Sequence, residues 1–133
     1  IEVFARRGLV VDFSGSWILP RIIGVQKAKE LMMTATEISG TKLNDYGVLY
    51  KLVEKPDLDT ELDNLVNLLD EQSFISICMI KDQIRKGLNT NFDESLSNET
   101  DNQNSRFVHS DVMEGMSAFI EKRQPEYKNT LDE

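Results

Sequence analysis

The chain has 133 residues, 40% of them hydrophobic, and its 23 acidic side chains against 15 basic ones give a net charge of −8. That balance argues against nucleic acid and against an anionic membrane surface as partners, because both reward basic patches. One cysteine, Cys78, excludes an internal disulfide and fits a reducing, cytoplasmic setting, and no apolar run approaches the roughly 18 residues of a membrane span.

Residues 1 to 5 (Ile1-Glu2-Val3-Phe4-Ala5) predict a strand, followed before a turn at Gly8 by Arg6 and Arg7, which read as solvated charges in preference to contacts with an anionic group. Leu9, Val10 and Val11 then lead to a lone carboxylate, Asp12. Phe13-Ser14-Gly15-Ser16 follows as a turn, and an apolar helix is expected to open at Trp17 with Ser16 as its cap. Pro20 has to lie near that helix start, since its ring removes a backbone donor. An acid held between an apolar run and a helix start is expected to be partly desolvated, which raises a carboxyl pKa toward the range useful for proton transfer. Taken alone, the residues favour the plainer alternative of an ordinary acid beside a helix dipole.

From Val25 a helix is predicted, with Val25, Ala28, Leu31, Met32 and Ala35 on one face. A short helix over Thr41 to Tyr46 is stopped by Gly47. Its start, Ser39-Gly40-Thr41-Lys42, lacks the reciprocal acid of a capping box. Val48 to Val53 alternates and reads as a second strand, closed by Pro56. Asp57 or Asp59 should cap the next helix, whose face is Leu58, Leu62, Leu65 and Leu69. Its acids have no His or Cys nearby and no calcium-loop spacing, so no metal site is expected. Ser73 caps a helix with Phe74, Ile77, Cys78, Ile80, Ile84 and Leu88 on its apolar face, which makes Cys78 a buried structural thiol. Phe92, Leu96 and Phe107 fit a helix, but SNETDNQN (97–104) is polar enough for a loop. His109 reads as an exposed helix-start histidine rather than a base, since no Ser, Cys or ligand cluster lies at a telling spacing. Asp111 and Glu114 suggest a capping box, and Val112, Met116, Phe119 and Ile120 a buried face, before a charged tail from Gln124 to Glu133. Leu131-Asp132-Glu133 is no peroxisomal address.

The stretch GLVVDFSGSWILPRIIGVQKAKELMMTA resembles the segment that follows the active-site core in the enoyl-CoA hydratase/isomerase (crotonase) family. The likeness resumes at Asp45-Tyr46-Gly47-Val48-Leu49 and again at Glu114-Gly115-Met116-Ser117-Ala118-Phe119-Ile120-Glu121-Lys122-Arg123. The resemblance implies an α/β fold, a crotonase-like βα spiral core, of which this chain is the C-terminal, mostly α-helical half. Residues 1–56 would end the spiral core as strand, turn, helix and strand, and residues 57–133 would form a helical oligomerisation region of a homo-trimer or hexamer. Family members carry the oxyanion-hole donors and most of the acyl-CoA site upstream of this point. Opening at Ile1 rather than Met, the chain leaves organellar import open beside the cytoplasmic expectation.

For chemistry, the resemblance implies an acyl-CoA thioester substrate, with coenzyme A part of the substrate and no separate cofactor. Hydratases of the family use two glutamates; the register places the second about four residues before Gly8, where this chain has Phe4. Isomerases place one acid at the position of Asp12, so Asp12 is the expected catalytic residue. Phe4, Phe13 and Trp17 are acyl-pocket candidates. Phe119 and Lys122 match positions that contact the adenine and phosphate end of coenzyme A, by stacking and by charge pairing; the alternative is a core Phe119 and a solvated Lys122. The expected function is 3-enoyl-CoA to 2-enoyl-CoA isomerisation. The alternatives are an enoyl-CoA hydratase or related lyase, and a fragment that is inactive alone and serves only for assembly.

Overall fold

The computed structural model describes residues 1–128, which are helical and contain no strand. The expected tail is described as far as Lys128; its remainder, with Leu131-Asp132-Glu133, lies outside the described residues. The chain divides into two compact units, Ile1–Asp57 and Leu58–Glu133.

In the first unit, a 3-10 turn at Phe4–Arg7 ends on Gly8 in the left-handed conformation. Helices α1 (Gly15–Ile23), α2 (Val25–Thr34) and α3 (Gly40–Asp45) follow. α1 and α2 pack against each other across Gly24, whose φ of 81° turns the chain between them. Their small core is Ile23, Ala28 and Leu31, with Leu19, Met32, Ile38, Tyr46 and Val48 packed on it. The expected stripe of α2 therefore holds at Ala28, Leu31 and Met32, and Ala35 is buried just past the helix end, whereas Val25 is exposed. α3 forms where expected: the Ser39 hydroxyl accepts from the Lys42 N–H, and Gly47, at φ 73°, closes it.

Both strands and the start of α1 depart from expectation in this unit. The strand over residues 1–5 is coil running into the 3-10 turn, and Val48 to Val53 is irregular. Alternation describes only a face; a strand also needs a neighbour to take its backbone hydrogen bonds, and the described residues offer none. Helix α1 opens two residues before Trp17, with Ser14 rather than Ser16 at the cap position and no side-chain capping bond. Pro20 accordingly sits inside the helix, at a position where its missing N–H removes one ladder bond.

The second unit holds α4 (Leu58–Asp70), α5 (Phe74–Gly87), α6 (Phe92–Arg106) and α7 (Ser110–Glu121), and α5 packs on α6. A 3-10 turn at Lys55–Asp57 runs straight into α4, so Asp57 ends that turn and Asp59 lies in the helix's first turn. Ser73 caps α5 as expected, accepting from the Ser76 N–H. The proposed loop at 97–104 is instead the middle of α6. Its start was written in Asn91-Phe92-Asp93-Glu94: the Asn91 side chain accepts from the Glu94 N–H at 2.9 Å, and two acids occupy the first turn.

The apolar faces of this unit are largely uncovered. Leu58, Leu62 and Leu69 on α4, Phe74, Ile80 and Ile84 on α5, Leu88 at its end, and Met116, Phe119 and Ile120 on α7 are all exposed. Cys78 is exposed too, not a buried thiol. The apolar residue of α7 that is buried is Ala118, while Val112 is half-buried. No helix among the described residues is long and apolar enough to cross a membrane.

Candidate functional site

Asp12 sits at the head of a tight turn. The Gly15 N–H donates to the Asp12 carbonyl at 2.9 Å, and both central residues are left-handed, Phe13 at φ 49° and Ser14 at φ 61°. Non-glycine residues pay for that conformation, which is why glycine is the usual choice there. Gly15 itself is required: a β-carbon on it would lie 2.7 Å from the Val11 side chain. The turn launches α1 through Trp17 N–H and Ile18 N–H, both donating to the Ser14 carbonyl.

Asp12 is exposed, so the partly desolvated setting expected for it is not supplied by this unit's own residues. Phe13 is 92% exposed beside it, with Leu9 and Val10 also open. Trp17 lies on the first turn of α1 with the Arg21 guanidinium 3.8 Å from its ring centre, a cation–π contact that fixes the indole. Phe4 is half-buried in the 3-10 turn, its carbonyl accepting from the Leu9 N–H. Asp12, Phe13 and Trp17 thus share one short connection. A separate cavity of about 200 Å³ in the same unit is lined mainly by Leu19, Leu31, Ile38, Leu43 and Val48, with Ile1, Glu2 and Thr36; neither Asp12 nor the three aromatic candidates borders it.

In the second unit, Phe119 stands 81% exposed on α7. Lys122 follows the helix in the left-handed conformation, φ 55° and ψ 40°. The Arg123 N–H reaches the Ala118 carbonyl and the Lys122 N–H the Phe119 carbonyl, the two bonds of a Schellman ending in which glycine is the common residue. Arg123 is fully engaged: its Nη1 and Nη2 donate to Glu114 at 2.5 and 3.0 Å and its Nε to Glu121 at 2.6 Å. Glu114 also accepts from the Glu126 N–H at 2.8 Å. The Arg123 guanidinium first, and that N–H second, pull the Glu114 carboxyl down to about 2. Glu114 is therefore an ion-pair partner, not the reciprocal acid of a capping box with Asp111. Lys122 is exposed and makes no ion pair among the described residues.

A buried polar cluster escaped the sequence reading. The Ser73 hydroxyl donates to Asp111 Oδ2, which also accepts from Arg106 Nη2 at 3.2 Å. His109 caps α7, with Nδ1 accepting from the Asp111 N–H at 3.2 Å and lying 3.1 Å from Arg106 Nη2. His109 thus holds the helix-start position expected of it, but largely buried instead of exposed. Arginine can only donate, so Nδ1 is an acceptor and the ring proton sits on Nε2. The serine is bonded to the aspartate rather than to the imidazole, so nothing here activates a nucleophile. The cluster ties the starts of α5 and α7 to the end of α6; its 38-residue reach from Ser73 to Asp111 leaves no local signal.

No group of three or more His, Cys, Asp or Glu among the described residues is placed to hold a metal ion. Between α5 and α6, an open hollow of about 480 Å³ is lined by Gln83, Leu96, Glu99, Thr100, Gln103 and Asn104; it has no cation to meet a phosphate.

A family model described as enoyl-CoA hydratase/isomerase matches residues 2–130. The chain is 28% identical to the 1,2-epoxyphenylacetyl-CoA isomerase of Escherichia coli, over 96% of this chain and 48% of that protein. It is 31% identical to the trans-2-decenoyl-[acyl-carrier-protein] isomerase of Streptococcus mutans, again over 96% and 48%. Among solved structures, an enoyl-CoA hydratase from Polaromonas sp. JS666 superposes with a TM-score of 0.89 at 29% identity, over 95% of this chain and 49% of that one. The chain spans about half the length of the curated relatives it matches.

Proposed function

The chain belongs to the enoyl-CoA hydratase/isomerase family, and from that premise we propose that it supplies the C-terminal half of a 3-enoyl-CoA to 2-enoyl-CoA isomerase with Asp12 as the single acid/base. One observation carries the reading: between Glu2 and Glu30 the only carboxylate is Asp12. It is held at the head of a turn with its side chain making no hydrogen bond or ion pair among the described residues, while the position that the family resemblance gives to a hydratase glutamate is Phe4. Phenylalanine cannot move a proton.

In this mechanism the Asp12 carboxylate takes a proton from C2 of a 3-enoyl thioester. The C2–H electron pair moves toward the thioester carbonyl, and negative charge builds on its oxygen as an enolate. Asp12 then returns the proton to C4 while the enolate collapses, leaving the double bond between C2 and C3. The enolate oxygen needs preorganised donors, which the family resemblance locates upstream of this stretch. The exposed apolar side chains around the turn, Leu9, Val10 and Phe13, would become walls of an acyl pocket once covered, and that covering would supply the desolvation that the isolated unit lacks. Phe119 and Lys122 would meet the adenine and phosphates of coenzyme A.

Assembly belongs to the same proposal. The uncovered faces of α4, α5 and α7 favour self-association, because burial of apolar surface at about 25 cal/mol per Å² drives it, and the family resemblance implies a homo-trimer or hexamer. The 133-residue chain alone is expected to self-associate and to turn over no enoyl-CoA.

Hydration is the second reading, favoured by the likeness to a hydratase structure; an upstream glutamate would then do the work. Supplying 3-enoyl-CoA and 2-enoyl-CoA separately to the whole protein decides between them. Conversion of the first to 2-enoyl-CoA, with little 3-hydroxyacyl-CoA from the second, is expected. Rapid formation of 3-hydroxyacyl-CoA with no isomerisation would overturn the proposal.

A further inference from the structure

The two basic residues at the end of α7 are used in opposite ways. Arg123 spends its donors inside the molecule, on both Glu114 oxygens, on Glu121 and on the Gln124 carbonyl. Lys122, its neighbour, makes no ion pair among the described residues, and its backbone is held left-handed, where a lysine is more costly than a glycine. A strained residue with such a charge, kept in place by its surroundings, marks a site held for use.

What keeps it there is a strap. The Glu114 carboxylate grips the Arg123 guanidinium by two bonds and the Glu126 N–H by a third, so residues 122–127 fold back along α7. The Tyr127 ring closes over Gly115, where a β-carbon would lie 2.9 Å from the tyrosine oxygen. Glycine at that position leaves the tyrosine hydroxyl its place, at a cost to the helix, whose interior glycine weakens.

We infer that Glu114, Arg123, Gly115 and Tyr127 are positioning residues, which lock the end of α7 so that Lys122 meets the phosphates at the nucleotide end of an acyl-CoA. The inference rests on the acyl-CoA reading proposed above and adds to it the residues that make the cation available. The low pKa of Glu114 keeps the strap charged and closed across the neutral range. A preset ammonium loses less freedom on binding than a mobile one, so the strap acts on affinity and leaves the chemical step alone.

The test uses the whole protein and a pair of substrates, an enoyl-CoA and the same acyl group on pantetheine, which lacks the nucleotide and its phosphates. Lys122→Gly should raise KM for the enoyl-CoA about tenfold, the loss of one charge-assisted contact, with kcat and the pantetheine KM unchanged. Glu114→Gln should raise the same KM severalfold and likewise spare the pantetheine thioester. Gly115→Ala, which shifts the Tyr127 hydroxyl without touching a charge, should raise that KM in the same sense by a smaller factor. Adding Glu114→Gln to Lys122→Gly should then change nothing further, because the glutamate acts through the lysine. If Lys122→Gly leaves the enoyl-CoA KM unchanged, the coenzyme reading itself falls. If Lys122→Gly raises it but Glu114→Gln and Gly115→Ala do not, or if their effects add to that of Lys122→Gly, the strap has no positioning role.

Discussion

Among the described residues, ordinary side chains stand in a left-handed backbone at three places, the Asp12 turn, Ala35 after α2 and Lys122 after α7, and the first and last of these are supported differently. At the end of α7, Lys122 is fixed by the two backbone bonds of a Schellman ending and by a side-chain strap from Glu114 to Arg123. In the Asp12 turn, Phe13 and Ser14 are both left-handed, yet one backbone bond, from the Gly15 N–H to the Asp12 carbonyl, spans them. The α7 end is complete within its own unit. In the proposed function the Asp12 turn, with its acid and its aromatic residue exposed, takes its remaining walls from other polypeptide. A chain that spans about half the length of the curated relatives it matches is where such a difference is expected.

Breaking the buried support under α7 should have the largest effect on the fold. Asp111→Ala removes the acceptor of both Ser73 and Arg106 and leaves a nearly buried guanidinium without its carboxylate. The expected loss is about 3–5 kcal/mol, seen as a large drop in the denaturant midpoint; a change within about 0.5 kcal/mol would show that the cluster is incidental.

A smaller and opposite effect is expected in the turn. Phe13→Gly relieves a left-handed residue, a gain of about 1 kcal/mol partly offset by the greater freedom of glycine in the unfolded chain. The thermal midpoint should hold or rise slightly, although a wall of the proposed acyl pocket is lost. A clear fall would mean that Phe13 is already packed in the folded chain, contrary to its exposure.

The parts legible in the sequence were those set by local chemistry. The Ala28–Leu31–Met32 face of α2, the Gly47 stop and the Ser73 cap each depend on residues within a turn or so of one another. The strand expectations failed because Ile1 to Ala5 and Val48 to Val53 specify a face but not the neighbour that would complete a ladder. The α6 helix was hidden by the polar run at 97–104, though Asn91 and Glu94 announced its start. Asp12, Phe13 and Trp17 could be nominated from the turn itself. By contrast, the Ser73–Asp111 bond and the Glu114–Arg123 strap are contacts between distant positions, and no periodicity encodes them. The apolar faces of α5 and α7 were legible as faces, but their burial was not, because burial depends on a partner surface that helical spacing does not describe.

The most direct measurement is the turnover of 3-enoyl-CoA by the whole protein and by its Asp12→Asn variant at saturating substrate. Asparagine keeps the shape of an exposed side chain and removes its basicity, so folding should be untouched within about 0.5 kcal/mol. The account predicts a fall in kcat by on the order of 10²–10⁴, the usual worth of a positioned acid/base, with KM little changed. An Asp12→Asn enzyme that isomerises at the unaltered rate would contradict it.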